Sequence, residues 1–221
     1  HHAGRRRMSK SRGILFSAPM VRALLAGNKT QTRRAVKLQP DAVHGGEPYW
    51  FIGGYRASPY RSTSDVLRKG GDVLPCPYGQ AGDRLWVREA WKAHPQFDHL
   101  PPREILMTPV WYIADDGYKA ESRYRQAMFM PSWVSRITLQ ITDVRVERLQ
   151  DISEADALAE GVTPQWEPGM SGRLMEALGG FSHRPAASAY ATLWEEINGA
   201  GSWESNAWVW AVGFKRIKAG A

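Results

Sequence analysis

Cysteine is nearly absent: Cys76 is the only one in 221 residues. A single thiol excludes an internal disulfide and any zinc site built on several cysteines. It fits a reducing compartment, so a cytoplasmic location is expected. No apolar run reaches the roughly 18 residues that a membrane-spanning helix needs. No signal-peptide pattern follows Met8 either, so no membrane partner is expected and the chain reads as non-secreted. His44, His94, His99 and His183 are scattered, without the H-x-x-x-H or H-E-x-x-H spacing of a metal site. Neither a P-loop nor a G-x-S-x-G elbow occurs, and the glycine pairs match no nucleotide fingerprint. The expectation is therefore a protein with no metal and no cofactor.

What the chain does hold is positive charge and tryptophan. Its 29 Lys and Arg against 22 Asp and Glu give a net charge of +7. The start, HHAGRRRM, reads as a tag remnant, and residues 1–12 are set aside from the fold. Without Arg5, Arg6 and Arg7 the charge is still +4. A basic surface favours a polyanionic partner, though many basic proteins have none. The ten tryptophans can build a core or stack on bases.

The length suits one domain, expected over 13–218, with insertions at about 38–81, 93–131 and 164–185. ILFSAP reads as a short strand and turn. PMVRALLAG follows as a helix with Pro19 in its first turn, Gly27 as its stop, and Val21, Leu24 and Leu25 on one face. QTRRAVKL alternates weakly as a strand. Residues 38–83 look irregular, broken by Gly45-Gly46, Gly53-Gly54 and Gly70-Gly71, but their aromatics suggest a folded insertion. In GDRLWVREAWK, Leu85 and Val87 point one way and Trp86 and Arg88 the other. VWYIAD, 110 to 115, is a further strand. SRITLQITDVRVERLQ is the clearest strand, with a phase slip before Val144 that suggests a bulge. Ser153 and Asp156 form a capping-box start to a helix ending at Gly161. A second helix, 186–200, places Tyr190, Leu193, Trp194 and Ile197 on one face. WVWAVGFKRI closes the chain as a strand. Strands and helices do not alternate strictly, so a mixed or antiparallel α+β fold is expected rather than a doubly wound sheet.

Several residue groups could carry chemistry. Lys29-Thr30-Gln31-Thr32-Arg33-Arg34 crowds three cations and two hydroxyls into six positions. It is either an anion or base-edge pocket or a solvated basic turn. Arg88 and Glu89 face opposite ways on a strand, so one points inward, where a charge must be paired or line a cavity; the alternative is a wet edge strand. Glu160 at a helix C-terminus is electrostatically disfavoured, and pairing with a lysine would offset that cost. Otherwise it is a surface glutamate. Trp133, in MPSWVSR with Arg136, could stack on a base or enter the core.

The segments SAPMVRALLAGNKTQTRR, YGQAGDRLWVREAW, MPSWVSRITLQITDVRVERLQDISEADALAEGV and LWEEINGAGSWESNAWVWAVGFKRI resemble, in this order, the ASCH-domain proteins of phages and prophages. The resemblance implies a PUA-like fold: a small mixed β-barrel with flanking helices, long loop insertions, and a cleft for RNA or a modified nucleotide. It places the family's hallmark lysine, in G-x-K-T-x-T, at Lys29. Small bacterial members that hydrolyse N4-acetylcytidine use a Lys, a Thr and a Glu, which fall here on Lys29, Thr32 and Glu160. The implied nucleic-acid contacts are Arg33, Arg34, Arg88, Glu89, Trp133 and Arg136.

The expected function is binding of RNA, single-stranded nucleic acid or a modified nucleoside. The alternatives are an amidohydrolase on N4-acylated cytidine, a metal-independent ribonuclease, and a phage assembly factor without catalysis.

Overall fold

The computed structural model describes residues 9–44, 47–52, 55–59, 73–115, 121–163 and 184–217. The tag-like start and the expected insertion at 164–185 lie largely outside these residues. The order is β1 (Ser11–Leu15), α1 (Ala18–Leu25), β2 (Gln31–Ala35), β3 (Ala42–His44), β4 (Glu47–Ile52), β5 (Tyr55–Pro59), β6 (Val73–Leu74), β7 (Arg84–Arg88), β8 (Trp91–Ala93), β9 (Val110–Tyr112), β10 (Thr138–Arg148), α2 (Glu154–Ala159), α3 (Pro185–Asn198) and β11 (Trp208–Ile217). The fold is α+β. Its main sheet has five strands in the order β1-β7-β10-β11-β2. That order is open, with β1 and β2 at its ends, so among the described residues the expected barrel does not close.

Contacts divide the chain into two compact units. The first comprises His1–Gly27, Tyr78–Asp143 and Phe214–Ala221. Here β1 runs parallel to β7, and β7 pairs antiparallel with the first residues of β10. On β7, Leu85 and Val87 are buried while Arg84, Trp86 and Arg88 are half-buried. A strand with one wet and one dry face requires this two-residue alternation. On β10 the alternation continues through Leu139 and Ile141 and stops there. Helix α1 buries Val21 and Leu24, three residues apart on one helical face. Gly27 adopts φ +81°, a conformation glycine takes without a Cβ clash, and the chain turns there. A satellite core of Trp91, Ala93, Ile105, Met130 and Val134 is flanked by Tyr112 and Trp133. The described residues of the 93–131 connector form short 3-10 turns and the strand β9.

The second unit comprises Asn28–Pro77 and Val144–Gly213. β2 pairs antiparallel with β11, setting Thr32 opposite Val212 and Arg33 opposite Ala211. Residues 38–83, expected to be irregular, contain β3, β4 and β5 in antiparallel succession and then β6. The three glycine pairs lie outside the described residues. In sequence, two of them fall between runs that pair antiparallel, which is also the spacing of hairpins.

The core of this unit is Leu149, Ile152, Ala157, Ala186, Ala187, Tyr190, Ala191, Trp194, Trp203 and Val209. Burying each large apolar side chain stabilises by roughly 1.5–3 kcal/mol. Helix α3 turns Tyr190 and Trp194, four residues apart, into that core. Ile197, expected on the same face, is instead 61% exposed, because α3 ends one residue later. The α2 capping box is complete, Ser153 and Asp156 bonding each other's backbone N–H. The Glu154 carboxylate accepts bonds from the N–H groups of Ala186 and Ala187 at 2.9 and 3.0 Å. It thereby satisfies orphan donors at the start of α3 and ties the two helices together.

Candidate functional site

The chain from Lys29 into β2 and the residue that closes α2 meet backbone to backbone. Lys29 and Glu160 form an isolated antiparallel β-bridge, and the Thr30 N–H donates to the Ala159 carbonyl at 2.8 Å. This register sets the two side chains opposite one another. Lys29 Nζ donates to the Glu160 carbonyl at 2.6 Å and to its Oε2 at 2.8 Å. The C-terminal carbonyls of a helix lack partners within it, and a cation there opposes the dipole's negative end. Lys29 thus satisfies α2's terminal carbonyl and also neutralises the carboxylate that the dipole disfavours. Both residues are buried, at 4% and 3% exposure.

Burial is the largest influence on Lys29 and drives its pKa below the ordinary lysine value. The Glu160 carboxylate opposes this by attraction and hydrogen bonding, while Arg34 and Arg33 reinforce it. Thr32, also buried, accepts a bond from Arg34 Nη1 at its Oγ1 at 3.0 Å. An accepted bond leaves the hydroxyl proton free to be donated.

Arg33 is not at the surface. Its side chain is fully buried and meets three carboxylates: Glu160 Oε1 at 3.3 Å, Glu147 Oε1, and Asp156 Oδ2 at 3.5 Å. Its guanidinium also lies 6.0 Å from the Tyr190 ring centroid. Arg145 spans the outer side, reaching Glu147 at 3.4 Å and Asp156 at 3.3 Å. Lys29, Arg33 and Arg145 therefore interleave with Glu147, Asp156 and Glu160. Arg34, half-buried, adds a fourth cation. Tyr190 is pushed well above the ordinary phenol range, chiefly by burial and then by the Glu160 charge.

Arg88, Glu89, Trp133 and Arg136 belong to the other unit. Of the Arg88-Glu89 pair, Glu89 is the buried member, at 1% exposure. Arg136 grips it with two bonds, Nε to Oε1 at 2.9 Å and Nη2 to Oε2 at 3.0 Å. The same guanidinium grips Asp115 with two more at 2.8 Å and lies 3.9 Å from the Tyr112 ring centroid. Burial raises the Glu89 pKa, and the Arg136 bonds hold the rise back. Arg88 stacks over Trp86 at 4.4 Å. A Cβ on Gly13 would come within 2.6 Å of Arg88 Nε, so this glycine makes room for the stack. Trp133 packs edge-on against Trp91, with ring centroids 6.5 Å apart.

Sequence reasoning did not single out Glu147, Asp115, Arg145 or Tyr190 as site residues, and took Asp156 only as a helix cap. The legible signal for Glu147 was RVER, which puts Arg145 and Glu147 on one face of a strand. For Asp115 it was an acidic end to VWYIAD. Among the described residues, no group of three or more His, Cys, Asp or Glu is placed to hold a metal ion, and no helix is long and apolar enough to cross a membrane.

No family model matches this chain. No curated protein matches it either. Among solved structures it is similar to protein EF3133 from Enterococcus faecalis V583, described under the family model DUF984. That alignment covers 96% of this chain and 83% of the other, at TM-score 0.39 and 9% identity.

Proposed function

We propose that the second unit is a small amidohydrolase that takes an N4-acylated cytidine-type nucleoside, free or in RNA, in the reducing interior of a cell. The observation that carries the reading is the buried Lys29–Glu160 pair, with the Thr32 hydroxyl three residues along. Burial, reinforced by Arg34 and Arg33 and opposed by Glu160, lowers the Lys29 pKa, and a lysine so shifted gives up its proton more readily and can then accept one. The substrate class comes from the ASCH resemblance.

In the proposed reaction, the Lys29 amine takes the Thr32 hydroxyl proton as Oγ1 attacks the acyl carbon. The carbonyl electrons move onto oxygen, then return as the C–N bond breaks. Lys29 passes its proton to the departing cytosine nitrogen. The acyl-threonine ester is then attacked by water, whose proton goes to Lys29 and on to Oγ1. Overall, amide and water become amine and carboxylic acid. Glu160 holds Lys29 in place and balances its charge in the ammonium state.

The test is mass spectrometry of N4-acetylcytidine incubated with wild type, Lys29→Ala and Thr32→Ala. Cytidine from wild type alone supports the reading. No cytidine from folded wild type removes this substrate.

A second reading, nucleic-acid binding without chemistry, is favoured by the net positive charge, +4 without Arg5, Arg6 and Arg7. It requires affinity that falls steeply with salt. Salt-independent binding of an RNA strand would remove it.

A further inference from the structure

We propose that Arg33 is a positioning residue, which fixes Glu160 from inside the protein so that Glu160 holds Lys29, and that it makes no contact with a ligand. This deepens the hydrolytic reading and rests on it for its catalytic meaning.

The division of labour on one carboxylate carries the argument. Glu160 Oε1 takes Arg33 Nη1 at 3.3 Å, and Oε2 takes Lys29 Nζ at 2.8 Å. Arg33 and Lys29 therefore hold the two edges of a single planar group and fix its rotation about the terminal side-chain torsion. That torsion is otherwise broad. A lysine at position 33 would bring a point charge but no fork. The guanidinium has the geometry for several carboxylates at once, and Arg33 also meets Glu147 and Asp156.

Its side chain has no exposed surface, so a phosphate would have to displace a carboxylate to reach it. This separates Arg33 from Arg34, its neighbour on β2, which is half-buried and bonds the Thr32 hydroxyl. Arg33 thus serves the carboxylates, while Arg34 serves the Thr32 hydroxyl.

The groups bearing on Lys29 and Glu160 come from four elements. Arg33 and Arg34 lie on β2, Arg145 and Glu147 on β10, Asp156 on α2 and Tyr190 on α3. Arg33 is the member that joins three of the acids to each other. A lysine at position 33 keeps the positive charge but loses the fork, so Glu160 loses its second anchor and holds Lys29 less firmly.

The experiment is a side-chain NMR titration of the Lys29 Cε–Nζ group in protein labelled at lysine. The signal is assigned by its absence in Lys29→Met, and folding is followed by thermal melts. In folded Arg33→Lys the charge is kept, so a merely electrostatic role leaves the Lys29 midpoint unmoved, whereas the loosened Glu160 carboxylate should let it fall.

A folded Arg33→Lys with an unmoved or raised midpoint overturns the proposal. Where Arg33→Lys does not fold, carbon relaxation of the Glu160 side chain in wild type decides: a rigid side chain supports positioning, and a mobile one overturns it. Failure of wild type to release cytidine would instead remove the hydrolytic reading, while the titration would still report on Arg33.

Discussion

Lys29 Nζ lies 2.8 Å from Glu160 Oε2 and 2.6 Å from the same residue's backbone oxygen, across 131 positions of sequence. One ammonium thus closes a helix and neutralises the carboxylate at its end. Each partner is so deeply buried that water cannot replace the other.

Removing one partner should therefore cost more than the pair contributes, because the survivor is left as an uncompensated buried charge. Glu160 serves both Lys29 and Arg33, whereas Lys29 serves Glu160, which Arg33 still holds. Glu160→Ala is expected to destabilise by about 3–5 kcal/mol, and Lys29→Met by less. Urea unfolding of the two variants checks the order, and equal or reversed midpoints would contradict the shared-carboxylate geometry.

The Glu89–Arg136 pair makes a parallel case. Arg136→Met leaves Glu89 buried without its two bonds and should cost about 3 kcal/mol, since Arg136 itself is partly wet. Glu89→Gln in the same chain should recover much of that loss. A double-mutant cycle by thermal melting reads the coupling, and additive losses would mean that the two residues act independently.

Asp156 sets a pH dependence. Burial tends to raise its pKa, but the Ser153 hydrogen bond and the charges of Arg33 and Arg145 outweigh it and bring it below 3.8. A carboxyl depressed in the folded state binds fewer protons there than in the unfolded chain. Its stabilisation is present above pH 3.8 and fades as the pH falls through the lower folded value. Wild type should exceed Asp156→Asn in melting temperature at pH 6, with the gap shrinking below pH 3.8. A gap that stays constant with pH would assign the loss to the cap geometry alone.

Strand binding, where it occurs, should distinguish neighbouring arginines. Arg34→Ala is expected to weaken binding of a single-stranded RNA and lower the salt slope by about one. A conservative change at buried Arg33 should leave that slope unmoved. Fluorescence anisotropy at several salt concentrations makes the comparison, and an equal loss of slope at both positions would place Arg33 against the ligand.

Much of this protein was legible locally. The alternation of Leu85 and Val87, the helix stop at Gly27, the Ser153–Asp156 cap and the closing strand at 208–217 all depend on residues within a turn or two. Periodicity reports such neighbours directly. The same evidence gave the α+β class. Ile197 shows the limit: its helical spacing is right, but it lies in the last turn of the helix and stays exposed.

The site was legible as residue types and not as partnerships. Six residues from Lys29 to Arg34 read equally well as a wet basic turn, because nothing nearby in sequence neutralises them. Their acids lie 114 to 131 positions away, on a strand and a helix that only the folded chain returns to β2. Sequence placed Lys29, Arg33, Glu89 and Glu160 among the residues to watch. Tertiary structure decided which of them are buried and which carboxylate each cation holds, because burial and long-range charge pairing depend on where the backbone comes back.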